Sequence, residues 1–187
     1  QGGAQAGQTA VVFGAGCIGL VSMMALKACG VSKVYVVDIM EKRLEKALEL
    51  GADGVINSKE VDLLEKAKEL TQGEGFDLAI ETAGTEITTN QAIQVVRKGS
   101  NIVLVGYGKT GMMNMMMSLA LDKEITFKTV FRYRHIYPMA IDAVEQGKVN
   151  LKGIATHIFD FDDIQNAMDR SVNEKAEIVK AVVKIAK

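Results

Sequence analysis

The chain is predicted to be an α/β protein built on a doubly wound parallel sheet of six strands in the order 3-2-1-4-5-6, followed by a strand-helix-strand appendage. Three observations predict it. Strand-sized apolar runs alternate with segments of helical periodicity. Most of the runs are nearly continuous in Val, Ile, Leu and Ala, the pattern of strands covered by helices on both faces. Between the first run and the first helix stands a glycine-rich turn, Gly14-Ala15-Gly16-Cys17-Ile18-Gly19.

The six runs are Thr9 to Phe13, Lys33 to Asp38, Gly54 to Ile56, Phe76 to Ile80, Asn101 to Val105 and Ile125 to Phe131. The first helix starts near Gly16, and Cys17 and Cys29 mark its two ends. Leu44, Ala47 and Leu48 give the second helix one apolar face before Gly51. Asn57 with Glu60 resembles a capping box, predicting a third helix that carries Val61, Leu64 and Ala67. Arg97 and Lys98 followed by Gly99 predict a last helical turn with positive charge and a left-handed residue just beyond it. After Arg134 the pattern changes. A helix is expected around Pro138 with Ile141 and Val144, stopping at Gly147. Thr156 to Phe159, an amphipathic stretch with Ile164, Ala167 and Met168, and the run Ile178 to Ile185 complete the appendage. The expected division is a leader at 1–8, a nucleotide-binding domain at 9–134 and a C-terminal segment at 135–187.

The turn and its neighbours form a dinucleotide fingerprint, the mark of a Rossmann domain. A buried strand enters the turn, a helix leaves it, and Asp38 closes the second strand 19 residues after Gly19. Gly14 permits the tight turn, Gly16 leaves the backbone open to a pyrophosphate, and Gly19 lets the helix pack closely on the strand. Unpaired amides at the helix start, with the positive end of its dipole, attract phosphate without a lysine. The carboxylate of Asp38 can hold both hydroxyls of an adenosine ribose and would repel a 2′-phosphate, which predicts NAD over NADP. Arg43, close by, could accommodate such a phosphate. The same sheet edge nominates the loops Thr82-Ala83-Gly84, Val105-Gly106-Tyr107-Gly108 and Phe131-Arg132-Tyr133, of which the first is the weakest candidate.

Composition narrows the function class. Lys and Arg total 22 against 23 Asp and Glu, a net charge of −1 with no long like-charge run, so nucleic acid and an anionic membrane surface are not expected partners. No apolar run reaches the length of a membrane span, and Gln1 to Gln5 have neither the basic start nor the apolar core of a signal peptide. A cytoplasmic location is therefore expected. Cys17 and Cys29 stand too far apart along one helix for a disulfide. With His135 and His157 they lack metal-ligand spacing, and no metal is expected in this chain. A start at Gln rather than Met reads as a piece of something longer.

Several motifs carry a resemblance over nearly the whole chain: Gly-Ala-Gly-Cys-Ile-Gly at 14–19, Ala-Leu-Glu-Leu-Gly-Ala-Asp at 47–53, Val-Leu-Val-Gly at 103–106, Val-Phe-Arg-Tyr at 130–133 and Thr-His-Ile-Phe at 156–159. The chain resembles the coenzyme-binding part of the zinc-containing medium-chain dehydrogenases, in their sorbitol (L-iditol 2-) and xylitol dehydrogenase branch. The resemblance implies NAD as cofactor, with Cys17 set in the glycine turn and Ile18 packed beside the cofactor. It implies that Asp38 and Arg43 hold the adenosine ribose, and that the backbone of Val105, Gly106 and Tyr107 and of Val130, Phe131 and Arg132 lines the nicotinamide. Arg132 and Tyr133 would face a polyol, whose hydroxyls a guanidinium fork and a phenol can orient. In the family, zinc polarises the alcohol oxygen before hydride passes to the nicotinamide. Its ligands come from a catalytic domain that precedes the cofactor domain, so this chain would hold neither zinc nor catalytic residues and would be inactive alone.

By the same resemblance the C-terminal segment returns to that domain, and the whole enzyme is a dimer or tetramer. Met112, Met113, Met115, Met116 and Met117 fit either an irregular core or a subunit contact beside the last strand. Other readings keep the fold and change the use: an alcohol or threonine dehydrogenase, a non-catalytic NAD-binding module, or a methyltransferase, whose glycines more usually come in tighter spacing.

Overall fold

The computed structural model describes residues 1–108 and 111–185; the last two residues of the expected C-terminal segment lie outside the described residues. Its main body is a parallel sheet in the order β3-β2-β1-β4-β5-β6. The strands are β1 Thr9–Phe13, β2 Lys33–Asp38, β3 Gly54–Asn57, β4 Phe76–Glu81, β5 Val96–Leu104 and β6 Thr126–Thr129. Helices α1 Cys17–Ala28, α2 Glu41–Glu49, α3 Leu63–Thr71, α4 Glu86–Val95 and α5 Met117–Asp122 make the crossovers. Then come α6 Tyr137–Glu145, α7 Leu151–Ile154, β7 His157–Asp160, α8 Ile164–Asn173 and β8 Ala181–Lys184, with β7 and β8 pairing in parallel as a second sheet.

Strand periodicity divides the core into two layers. Ala10, Val12, Val34, Val36, Leu78 and Val103 point to the layer filled by Leu20, Met23, Met24 and Leu26 of α1. Val11, Phe13, Val37, Phe76, Ala79 and Ile102 point to the layer containing Leu63, Ala67, Ala92 and Ile93 of α3 and α4. Burial on both faces accounts for the nearly unbroken apolar runs.

Local expectations required four corrections. Helix α3 begins at Leu63, after a cap in which Asp62 accepts from Leu64 N and Glu65 N; the Asn57 side chain instead accepts from Lys59 N in the turn after β3. Its inner face is therefore Leu63 and Ala67, while Val61 and Leu64 are exposed. On α2, Leu44 and Ala47 are buried but Leu48 is exposed. Arg97 and Lys98 are not in a last helical turn, because α4 ends at Val95 and the chain turns directly into β5. The ammonium of Lys123 takes over the cap, donating to the carbonyls of Ile93, Gln94 and Val96. Burial lowers the pKa of that ammonium from 10.5. Finally, β6 and β8 are shorter than their apolar runs: Val130 and Phe131 have left the sheet, and Ile178 packs beneath β8 rather than in it.

Candidate cofactor site

The first glycine turn is held from three sides. Gly14 has φ +97°, and its N–H donates to Val37 O at 2.8 Å, tying the turn to β2. A Cβ on Gly19 would stand 1.7 Å from Gly14 O, so the opening of α1 lies directly on the turn. Gly16 caps α1 in extended geometry, and the nearest atom to a Cβ there would be Arg43 Nη1 at 4.0 Å. The three glycines thus divide the work. Gly14 and Gly19 satisfy conformation and packing, whereas Gly16 keeps the outer face open. Among described residues, the amides of Cys17 and Ile18 have no acceptor. Cys17 packs inward against the core, and Ile18 is 55% exposed.

Asp38 sits against this turn. Its Oδ2 accepts from Ala15 N at 2.7 Å, and its Oδ1 accepts from Ile39 N and Met40 N at 2.7 and 3.0 Å. The carboxylate is thereby fixed beside the first glycines with lone-pair capacity left on its outer side. Arg43 flanks it from α2, where Nε and Nη2 both donate to the carbonyl of Lys175, and Lys42 forms an ion pair with Glu177. The loop before β8 therefore orients the guanidinium whose Nη1 faces Gly16.

The remaining strand ends meet beside the turn. Thr82 Oγ1 donates to Phe13 O at 2.7 Å, and Val105 N and Gly106 N donate to Glu81 O at 2.8 and 3.0 Å. A Cβ on Gly84 would lie 2.7 Å from Tyr107 N and Tyr107 O, so the loops after β4 and β5 interlock backbone to backbone. Val130 N donates to Leu104 O at 3.0 Å, and the Val130 side chain packs on the core. Beyond it the chain is open: Phe131 is 77% exposed, Tyr107 86% and Tyr133 74%. Arg132 stacks over Phe131 with Cζ 5.0 Å from the ring centroid, and Tyr133 contacts the Tyr137 ring at 5.3 Å.

The structure thus places Gly14, Gly16, Cys17, Ile18, Gly19, Asp38 and Arg43 around the first turn, and Val105, Gly106, Tyr107 and Val130 at the ends of β5 and β6, with Phe131, Arg132 and Tyr133 exposed beyond β6. Sequence reasoning ranked Thr82-Ala83-Gly84 last, and it missed Glu81. An acid closing an apolar strand is the signal that found Asp38, and it was equally present at Ile80-Glu81.

Among the described residues no group of three His, Cys, Asp or Glu side chains could hold a metal ion, and both cysteines are free. No helix among them is long and apolar enough to cross a membrane. A separate open cleft lies at the other end of the sheet, between Thr9, Lys33, Asp77 and Arg97. Its carboxylate is already engaged. Burial would raise the Asp77 pKa, but donation from Thr9 N, Thr9 Oγ1 and Arg97 Nε outweighs it and holds the group below 3.8.

With the glycine turn, its carboxylate and the parallel sheet in place, comparison with known proteins fixes the class. The zinc-binding dehydrogenase family matches residues 17–146, and the chain belongs to that family, in its medium-chain, coenzyme-binding part. A sorbitol dehydrogenase of Bacillus subtilis (strain 168) is 34% identical over 179 residues, covering 96% of this chain and 51% of the relative. The crystal structure of an Escherichia coli oxidoreductase/dehydrogenase of unknown specificity, involved in membrane biogenesis, superposes with TM-score 0.93 at 38% identity, over 100% of this chain and 53% of that one. A short chain alcohol dehydrogenase from Escherichia coli CFT073, solved with its cofactor NADH, superposes with TM-score 0.91 at 28% identity, covering 98% and 54%. The chain spans about half the length of the curated relatives it matches.

Proposed function

We propose that this chain is the NAD-binding part of a zinc-dependent polyol dehydrogenase that oxidises sorbitol, L-iditol or xylitol to a ketose. The observation that carries the NAD reading is the Asp38 carboxylate anchored to Ala15 N at 2.7 Å, directly beside a turn whose glycines leave the start of α1 bare. The donor set fits a dinucleotide. Free amides at Cys17 and Ile18 meet the diphosphate, and the outer lone pairs of Asp38 accept from the ribose hydroxyls. Arg43 reinforces the adenosine end from the opposite side. A relative solved with NADH supports the same cofactor.

The backbone of residues 105–107 and 130–132 lines the nicotinamide, and Arg132 and Tyr133 orient the polyol hydroxyls. Their exposure suits residues that work against a second domain. Bound NAD would supply the hydride acceptor, with a zinc ion polarising the alcohol from ligands outside this chain. Residues 9–134 form the cofactor domain; 135–187 pack on it through Val149 and Ile154, and their exposed face meets that other half. Exposed Ile136, Tyr137, Met139 and Ile141 in and beside α6 support this. Met112, Met116 and Met117 are exposed, in a stretch bonded to α4 through Glu86 and Asn90, and form part of a contact between two copies.

The test is turnover in the longer protein this reading requires. NADH formation should be fastest with sorbitol, L-iditol or xylitol, and Arg132→Ala should lower it at least about tenfold by removing charge-assisted bonds to substrate. This chain alone should not turn over. Preference for ethanol or threonine, or dehydrogenase activity in the 187-residue chain, would refute the proposal.

A further inference from the structure

Glu81 is 1% exposed, and the functions above leave its carboxylate unexplained. Its Oε1 accepts from Ala83 N at 2.8 Å, Gly84 N at 2.9 Å and Thr88 Oγ1 at 2.8 Å; its Oε2 accepts from Gly84 N at 3.2 Å. Its main-chain carbonyl accepts from Val105 N and Gly106 N. One residue therefore ties the loop after β4, through its side chain, to the loop after β5, through its backbone.

The two loops have no slack between them. A Cβ on Gly106 would lie 2.1 Å from Gly84 N and 2.7 Å from Glu81 Oε2. Strand β4 already pairs with β1 and β5 through its backbone, so the sheet does not require this carboxylate. Burying a carboxylate is costly, and here the donors of Ala83, Gly84 and Thr88 compensate it, so the side chain and the loop amides depend on each other. The carboxylate holds the amides of Ala83 and Gly84, and Gly84 in turn lies directly against Gly106 and Tyr107.

We propose that Glu81 is the positioning residue for the nicotinamide end of the site, setting the backbone of residues 84 and 105–107 into the one arrangement that seats the ring. The inference rests on the NAD reading. It is tested on this chain with Glu81→Gln, which keeps the volume and leaves one acceptor oxygen but sets an amide NH₂ in place of Oε2, facing the Gly84 N donor. ADP-ribose, which carries the adenosine and diphosphate without the ring, is titrated by calorimetry; NADH is followed by the change in its nicotinamide fluorescence on binding.

The wild type should bind ADP-ribose and shift NADH fluorescence. Glu81→Gln should keep ADP-ribose affinity within about twofold while losing about half or more of the fluorescence change, the signature of a misplaced donor at one end only. Thr88→Val removes one donor to the carboxylate, should produce the same split in smaller measure, and serves if Glu81→Gln does not fold. A folded variant that affects both ligands equally, or neither, overturns the inference and leaves the NAD site standing. So does a wild type that binds ADP-ribose without shifting NADH fluorescence. A wild type that binds neither ligand overturns the NAD reading, and the inference with it.

Discussion

Gly19→Ala adds one methyl group where the structure has no room for it. The new Cβ would stand 1.7 Å from Gly14 O and 2.9 Å from Gly14 C, whereas ordinary contact begins at 3.4 Å. Half the required separation is missing, and both obstructing atoms are backbone. The turn cannot swing aside freely, because Gly14 N is bonded to Val37 O. Relief must come from lifting α1 off β1, which loosens Leu20, Met23 and Met24 from the core. Overpacking of this kind costs about 1–3 kcal/mol. For a chain of 187 residues each kcal/mol lowers the melting temperature by about 2–4 °C. Thermal unfolding followed by circular dichroism, with NAD titration in parallel, reads both consequences: a melting point lower by about 2–12 °C and weakened cofactor binding. Gly16→Ala is the control, since nothing lies nearer than 4.0 Å and φ is −78°. It should cost no more than about 1 kcal/mol of stability as a changed cap, yet still weaken NAD by crowding the diphosphate. An unchanged melting point in Gly19→Ala, or a larger loss in Gly16→Ala, would refute the assignment of roles.

Asp38→Gly should weaken NAD and narrow its advantage over NADP, measured by paired titrations, and should lower stability by about 1–3 kcal/mol because buried Ala15 loses its acceptor. Lys123→Met should cost about 1–3 kcal/mol in urea unfolding by leaving the carbonyls of Ile93, Gln94 and Val96 without their donor. Asp77 sets an acid limit. Its native pKa lies below 3.8, so its contribution to stability is complete above that value and is lost as pH falls through the lowered native one. Asp77→Asn should therefore flatten the fall in stability below about pH 4 in acid titration of unfolding.

How much of this was legible in sequence depended on where each residue's partner lies. The Gly14 to Gly19 turn and Asp38 were legible because strand, turn, helix and acid occur in order within 30 residues, and backbone sterics leave few other uses for those glycines. The strand order followed from apolar runs and right-handed crossovers. The start of α3 was misread because two capping patterns overlap, Asn57 with Glu60 and Asp62 with Glu65, and β3 with its turn consumes the first. Lys123 was invisible as a cap because its three acceptors lie 27 to 30 residues earlier in the chain. Glu81 carried the right signal, but an acid ending a strand gains meaning only from the loop that folds over it. Phe131, Arg132 and Tyr133 were nominated by their place after the last strand and by the family resemblance; among the described residues they are exposed, with Arg132 over the Phe131 ring and Tyr133 against Tyr137.

The central claim is that the opening of α1 and the Asp38 carboxylate together grip an adenine dinucleotide. Calorimetric titration of the wild-type chain with NAD, NADP and S-adenosylmethionine tests it most directly. Saturable binding of NAD, tighter than NADP and with no heat from S-adenosylmethionine, is the predicted result. Preference for NADP or S-adenosylmethionine, or no binding of any of the three, would contradict it.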